Sequence, residues 1–334
     1  MAGMNTGNSD ALIRSEIWSN QLKDVLTDEL TATGYVRWLS EFSDGNQLTI
    51  PSIGVLDAHD YSEDTAVTYQ ALDTGEFNFT INNYLSSATY ITNKAKQDGF
   101  YMNELVSSFV PKQARAIKER LEIDIWKEGQ PKTGNPAGYQ VAGNANQING
   151  VDHRRVGSAT GSGSARTLGV SDFAYAAYAL QKANVPQENL IAIVDPSVEY
   201  MMNTITNLTN FSNNPRWEGI VESGIGKNHR FVKNIFGFDV YTSNYLPLCG
   251  TAQSGTTETI NTIASGANAV ANLFFSASAD VLPYIGAWRQ MPKVDSEYNK
   301  DFQRDEYVTT CRYGVKIYRP ENLVTILGVP SAAG

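Results

Sequence analysis

The chain has 334 residues, more than a single core usually holds, so two or more lobes are expected. Its hydrophobic share of 42% is that of a folded protein, and no run of about 18 apolar residues is present to span a bilayer. A formal charge of −9 argues against nucleic-acid binding through a broad basic face, and Cys249 and Cys311, far apart and without metal-type spacing, give no disulfide framework.

The first thirty residues carry acidic side chains and no apolar run of the signal-peptide type, so the mature chain is expected to begin near Met1. Over 11–30, Ile13, Ile17, Trp18, Leu22, Val25, Leu26 and Leu30 recur at helical spacing, with Ser9 and Asp10 as caps. Leu48 and Ile50, then Phe77, Phe79 and Ile81, alternate with polar neighbours, the period of two half-buried strands. These read as the legs of a long hairpin, joined over 54–75 by a polar loop far longer than the usual two to five residues or so. Between Trp38 and Asn93 there is no Lys or Arg, while Glu41, Asp44, Asp57, Asp60, Glu63, Asp64, Asp73 and Glu76 are acidic.

A two-stranded arm is marginal in water, so something is expected to cover it. Next, Val110, Ala114, Ile117, Leu121 and Ile125 mark one face of a helix, with Pro111 near its start or at a kink. Its other face is basic. Lys112, Arg115, Lys118 and Arg120 offer a partner to the acidic arm, either by folding back or, as we expect, between subunits, rather than as two separately solvated faces.

Residues 129–169, rich in Gly, Asn, Ser and Thr, read as a long irregular connection. An α/β order follows: helix over 171–183, a short apolar strand at 190–194 ending at Asp195-Pro196, and helix over 198–205. Strands are then expected around 231–241, 273–275, 307–309, 314–318 and 323–327, with no repeat of fixed period.

Chemistry is sparse. His59, His153 and His229 lie in no metal or nucleophile motif. The stretch Gly157-Ser-Ala-Thr-Gly161-Ser-Gly163-Ser-Ala-Arg166 lacks the Lys-Ser/Thr of a phosphate-cradling loop and reads as a flexible surface loop. Asp57, His59, Asp60, Glu63 and Asp64 lack the ligand order of a calcium loop, so neither a metal nor a cofactor is expected. Carboxylate pairs for hydrolysis are a matter of spatial separation and stay open in the sequence. The five tryptophans are dispersed and read as core, and the Asn-x-Ser/Thr matches at Asn78, Asn207 and Asn210 as chance.

In series, these segments resemble the major capsid protein of tailed bacteriophages. The likeness is carried by Ala11-Leu-Ile-Arg-Ser-Glu-Ile-Trp-Ser-Asn-Gln-Leu22, Gly45-Asn-Gln-Leu-Thr-Ile-Pro-Ser-Ile-Gly54, Ile191-Ala-Ile-Val-Asp-Pro196, Gly237-Phe-Asp-Val-Tyr-Thr-Ser-Asn244 and Tyr313-Gly-Val-Lys-Ile-Tyr-Arg-Pro320. The resemblance implies an α+β fold with an N-terminal arm (1–45), an extended hairpin or E-loop (46–92), a peripheral domain with a long spine helix (93–170 and 291–334) and an axial domain (171–290). It implies a non-enzymatic subunit that self-assembles as pentamers and hexamers into an icosahedral shell around double-stranded DNA. Scaffolding, portal and decoration proteins are the implied partners, and the bacterial cytoplasm is the implied place of assembly. Some members of that family cross-link an E-loop Lys to a neighbour's Asn. No Lys lies in this E-loop, so a noncovalent clasp is expected, with Asp57, Asp60, Glu63 and Asp64 facing Lys112, Arg115, Lys118 and Arg120 of an adjacent subunit. A bacterial encapsulin shell of the same fold is the nearest alternative, and a cytoplasmic hydrolase a remote one.

Overall fold

The computed structural model describes residues 30–40, 47–53, 58–60, 62–64, 66, 69, 74–98, 102–130, 147–160, 166–204, 231–248 and 269–330. The helix expected over 11–30 lies outside them, except for Leu30. Two sheets organise the rest.

The larger sheet has six strands: β7 (Arg154–Val156), β10 (Leu190–Val194), β11 (Phe231–Ile235), β12 (Phe238–Thr242), β13 (Val270–Ser276) and β16 (Val324–Gly328), in the order β11-β12-β10-β13-β16-β7. Successive strand residues point to opposite faces, and here both faces are buried. One face of β10, β13 and β16 packs Ala192, Val194, Phe274 and Ile326 against Phe173 and Leu180 of α3 (Val170–Lys182) and Val198 and Met202 of α4 (Pro196–Thr204). Phe274 is the hub: its ring meets those of Phe173 and Phe238 edge-on at 5.2 and 5.4 Å. The other face packs Ile193, Leu273 and Phe275 in one cluster with Ile125 and Trp126 at the end of the long helix α2 (Met102–Glu128).

The second sheet, β1-β14-β15-β4, joins β1 (Val36–Leu39), β4 (Asn83–Thr92), β14 (Tyr284–Asn299) and β15 (Arg304–Ile317). Helix α2 covers one face, setting Ile117 and Leu121 in the cluster that holds Cys311 and Tyr313. On the other face lies the root of the expected hairpin, β2 (Gln47–Ile53) paired antiparallel with β3 (Thr74–Thr80), which puts Phe79 and Ile81 against Ile285 and Ala287. The approach is close enough to require Gly314, where a Cβ would stand 2.8 Å from the Thr80 carbonyl oxygen.

Several expectations need correction. Helix α2 begins at Met102, so Pro111 sits inside it rather than at its start. Strands expected at 307–309 and 314–318 are one strand, β15, whose register with β4 runs unbroken from Arg304 to Tyr313. The stretch 129–169 is not wholly irregular: it contains β5 (Gln147–Ile148), β6 (Val151–Asp152), β7, β8 (Ala159–Thr160) and β9 (Arg166–Thr167). Strands of two or three residues are too short for a period of two to show, and the buried Arg154 and Arg155 of β7 look like surface residues in the sequence. The sheets also interleave the chain: β16 lies beside β13, and β14 runs unbroken through 290–291.

Candidate docking groove

Strand β1 pairs with β14 only over Tyr284–Ala287. Beyond that point β14 shifts register twice, between Trp288 and Lys293, and its outer edge has no neighbouring strand among the described residues. What remains between β14 and α2 is a groove of about 740 Å³. Its lining is mainly apolar, with Ala114, Ile117 and Leu121 from α2 and Trp288, Met291 and Pro292 from β14. Trp288 is held by a ring stack on Trp38 at 5.3 Å, whereas Met291 is 70% exposed, an unusual state for a large apolar side chain next to an apolar groove.

Two cations line this groove, Arg115 and Lys118. Arg115 is partly neutralised by its own helix: its Nε donates to Glu119 Oε1 at 3.0 Å, and Tyr245 donates to the same oxygen at 3.2 Å. Arg120 does likewise, pairing with Asp124 at 3.2 Å, and Asp124 in turn accepts from Tyr313 at 2.7 Å. Burial, then the Asp124 carboxylate, hold the Tyr313 hydroxyl far above the usual phenol range. Lys118 is exposed and forms no ion pair among the described residues, while Lys112 is also exposed but lies outside the groove lining. The four basic residues therefore divide: Arg115 and Lys118 line the groove, Arg120 serves the helix and its sheet, and Lys112 stands outside the lining.

On the acidic side, Asp60, Glu63 and Asp64 are solvent-exposed, and none forms an ion pair among the described residues. Asp57 lies outside the described residues. What sequence reasoning missed is the β14 wall of the groove, because Trp288 and Met291 reach α2 across more than 150 positions of chain, and no local pattern reports such a meeting.

The remaining candidates are structural. Gly157 is buried, donates from its N–H to Leu327 at 2.8 Å and has no room for a Cβ, which would stand 2.2 Å from the Thr167 carbonyl oxygen. The expected flexible surface loop is thus packed at its first residue, and 161–165 lie outside the described residues. His153 is buried, with Nδ1 at 3.2 Å from the Leu323 carbonyl oxygen, His59 is exposed, and His229 lies outside the described residues. Among the described residues no cluster of His, Cys, Asp or Glu is arranged to hold a metal, and no helix is long and apolar enough to cross a membrane.

A family model described as phage capsid protein matches residues 57–326. Solved structures with the same fold include one from Mycobacterium phage Che8, 16% identical with a TM-score of 0.64, covering 95% of this chain and 97% of that one. A capsid structure of the cyanophage P-SCSP1u is 17% identical with a TM-score of 0.69, over 97% and 94% of the two chains. A capsid asymmetric unit of cyanophage Pam1 is 16% identical with a TM-score of 0.67, over 99% of both. No curated protein matches the sequence.

Proposed function

The chain belongs to the phage capsid protein family and is a structural major capsid protein, and from that premise we propose that its copies form pentamers and hexamers of an icosahedral shell around double-stranded DNA, clasped by the acidic loop of one copy seated in the α2–β14 groove of the next. The groove offers apolar surface flanked by Arg115 and by Lys118, which has no ion-pair partner among the described residues. The loop offers exposed Asp60, Glu63 and Asp64, with no Lys or Arg between Trp38 and Asn93. That complementarity is the observation that carries the reading. Asp57 joins the acidic set, and Lys112 and Arg120 extend the basic face along the helix. Each surface pair contributes only about 0 to 1 kcal/mol, but symmetry repeats it at every equivalent contact.

In this reading, 1–45 is the N-terminal arm, 46–92 the E-loop, 93–170 with 291–334 the peripheral domain, and 171–290 the axial domain, with β7 and β16 crossing into the axial sheet. The subunit acts by assembly rather than catalysis and needs no cofactor. A net charge of −9 suits a lining that lets packaged DNA slide instead of holding it. Scaffolding protein, portal and decoration protein complete the set of partners, and assembly takes place in the host cytoplasm.

The clasp is tested by Lys118→Glu in the full chain. Light scattering at fixed protein concentration is expected to show shell formation reduced several-fold, and the added changes Asp60→Lys, Glu63→Lys and Asp64→Lys to restore it. Undiminished shells from the Lys118→Glu chain would overturn the clasp while leaving the family and the fold in place.

A further inference from the structure

The two margins of the β1-β14-β15-β4 sheet are built differently. Along the margin left open beyond β1, β14 carries Pro292, two shifts of register, and the charged Lys293, Asp295 and Glu297. Proline, bulges and charge are the devices that keep a second strand off a sheet edge. At the opposite margin, β4 runs for ten residues with no Pro, Gly or charged residue, in unbroken register with β15. Among the described residues no strand pairs with its outer side. On an edge strand, every second residue points its N–H and C=O outward, so β4 presents a regular ladder to any strand that meets it.

The side chains of β4 indicate which strand that is. Its exposed positions read Tyr84, Ser86, Ala88, Tyr90, with the two tyrosines 63% and 57% exposed. The series is nearly the same in either direction. Laid antiparallel on itself about Ser87, it sets Tyr84 opposite Tyr90 and Ser86 opposite Ala88, each twice, and it brings no like charges together. Directly opposed aromatic residues are favourable cross-strand pairs, and an isologous contact uses one self-complementary patch twice. A one-residue slip would throw the tyrosines of the two copies onto opposite faces, and a two-residue slip would set Tyr84 against Ala88 or Thr92, so the side chains select one register.

We infer that β4 pairs with β4 of a second copy of this chain, antiparallel about a twofold axis at Ser87, extending the sheet from one subunit into the next. The pairing rests on the self-assembly reading only in requiring a second copy. It is independent of the clasp, which uses the other side of the sheet's long axis and different residues.

The test uses two double variants of the full chain alongside the unchanged one, with assembly followed by light scattering and sedimentation. In Ser86→Lys with Ala88→Lys, two lysine pairs oppose each other across the axis, and assembly is expected to fall roughly tenfold, since like charges directly opposite destabilise a strand pair. In Ser86→Lys with Ala88→Glu, each new lysine meets a glutamate, and assembly is expected to stay within about twofold of the unchanged chain. If both variants assemble alike, or both fail alike with circular dichroism unchanged, the pairing is overturned and the capsid reading stands. If the unchanged chain stays monomeric, the self-assembly reading falls and the pairing with it.

Discussion

Glu122→Ala is expected to lower the unfolding free energy by about 3–5 kcal/mol, because buried and half-buried donors are left without their acceptor. Glu122 is completely buried on α2. Its carboxylate accepts from the N–H of Ala32 at 2.8 Å, from the N–H of Thr31 at 3.0 Å and from the indole Nε1 of Trp126 at 3.2 Å. The first two belong to the start of a 3-10 turn, Ala32–Tyr35, whose opening N–H groups have no acceptor within the turn itself. A carboxylate there satisfies the donors and meets the positive end of the turn. The turn leads directly into β1, and its Tyr35 packs edge-on against Phe275 at 5.3 Å, so the same contact ties the second sheet, α2 and the six-stranded sheet together. Glu122→Gln keeps one acceptor oxygen and is expected to cost less than half as much. Urea unfolding followed by tryptophan fluorescence checks both, and equal loss in the two variants would show that volume rather than hydrogen bonding is what Glu122 supplies.

The second large effect depends on pH. Burial lowers the pKa of His153 from 6.5 to about 4, against the opposing pull of the Leu323 and Ala179 carbonyls and the Asp152 charge. In the unfolded chain the same imidazole takes up a proton near 6.5, so between that pH and about 4 the unfolded state binds more protons than the folded one. Its contribution to stability is therefore intact above pH 6.5, falls as the pH drops towards 4, and is lost below that. The full loss amounts to about 3 kcal/mol. Carboxylates titrate in the same range, so the quantity to measure is the difference between wild type and His153→Gln, which keeps a donor for Leu323 and cannot titrate. The wild-type chain is expected to lose up to about 3 kcal/mol more than the variant between pH 7 and pH 4. Parallel pH profiles would contradict a neutral, buried His153.

How much of this was legible in the sequence follows from where water reaches each element. The legs of the hairpin alternate because only one face is covered, by Ile285 and Ala287, so Phe77, Phe79 and Ile81 stand out against their polar neighbours. Strand β10 shows as an unbroken apolar run because both faces of its sheet are covered, and its limits match the expected 190–194. The outer part of β14 gave no signal: residues 291–298 are all exposed, so Lys293, Asp295 and Glu297 are permitted there and no period survives. Strand β7 was lost for the opposite reason, since His153, Arg154 and Arg155 are polar residues buried by contacts remote in sequence. For the groove, helical spacing placed Arg115 and Lys118 on one stretch of α2, but it could not separate them from Arg120, whose partner Asp124 lies one turn further on and is shared with Tyr313. Leu30, Trp288 and Met291 join that groove only through tertiary structure, which the order of residues does not display.

Whether the chain builds shells is decided by its assembly state. The full chain, expressed alone and together with the neighbouring genes of its genome, would be purified and imaged by electron microscopy with light scattering in parallel. Closed shells, or rings of five and six subunits on the way to them, are the result predicted for this capsid protein. A chain that remains a monomer under both conditions would rule out self-assembly into a shell and return attention to the groove between α2 and β14 as a site for some other ligand.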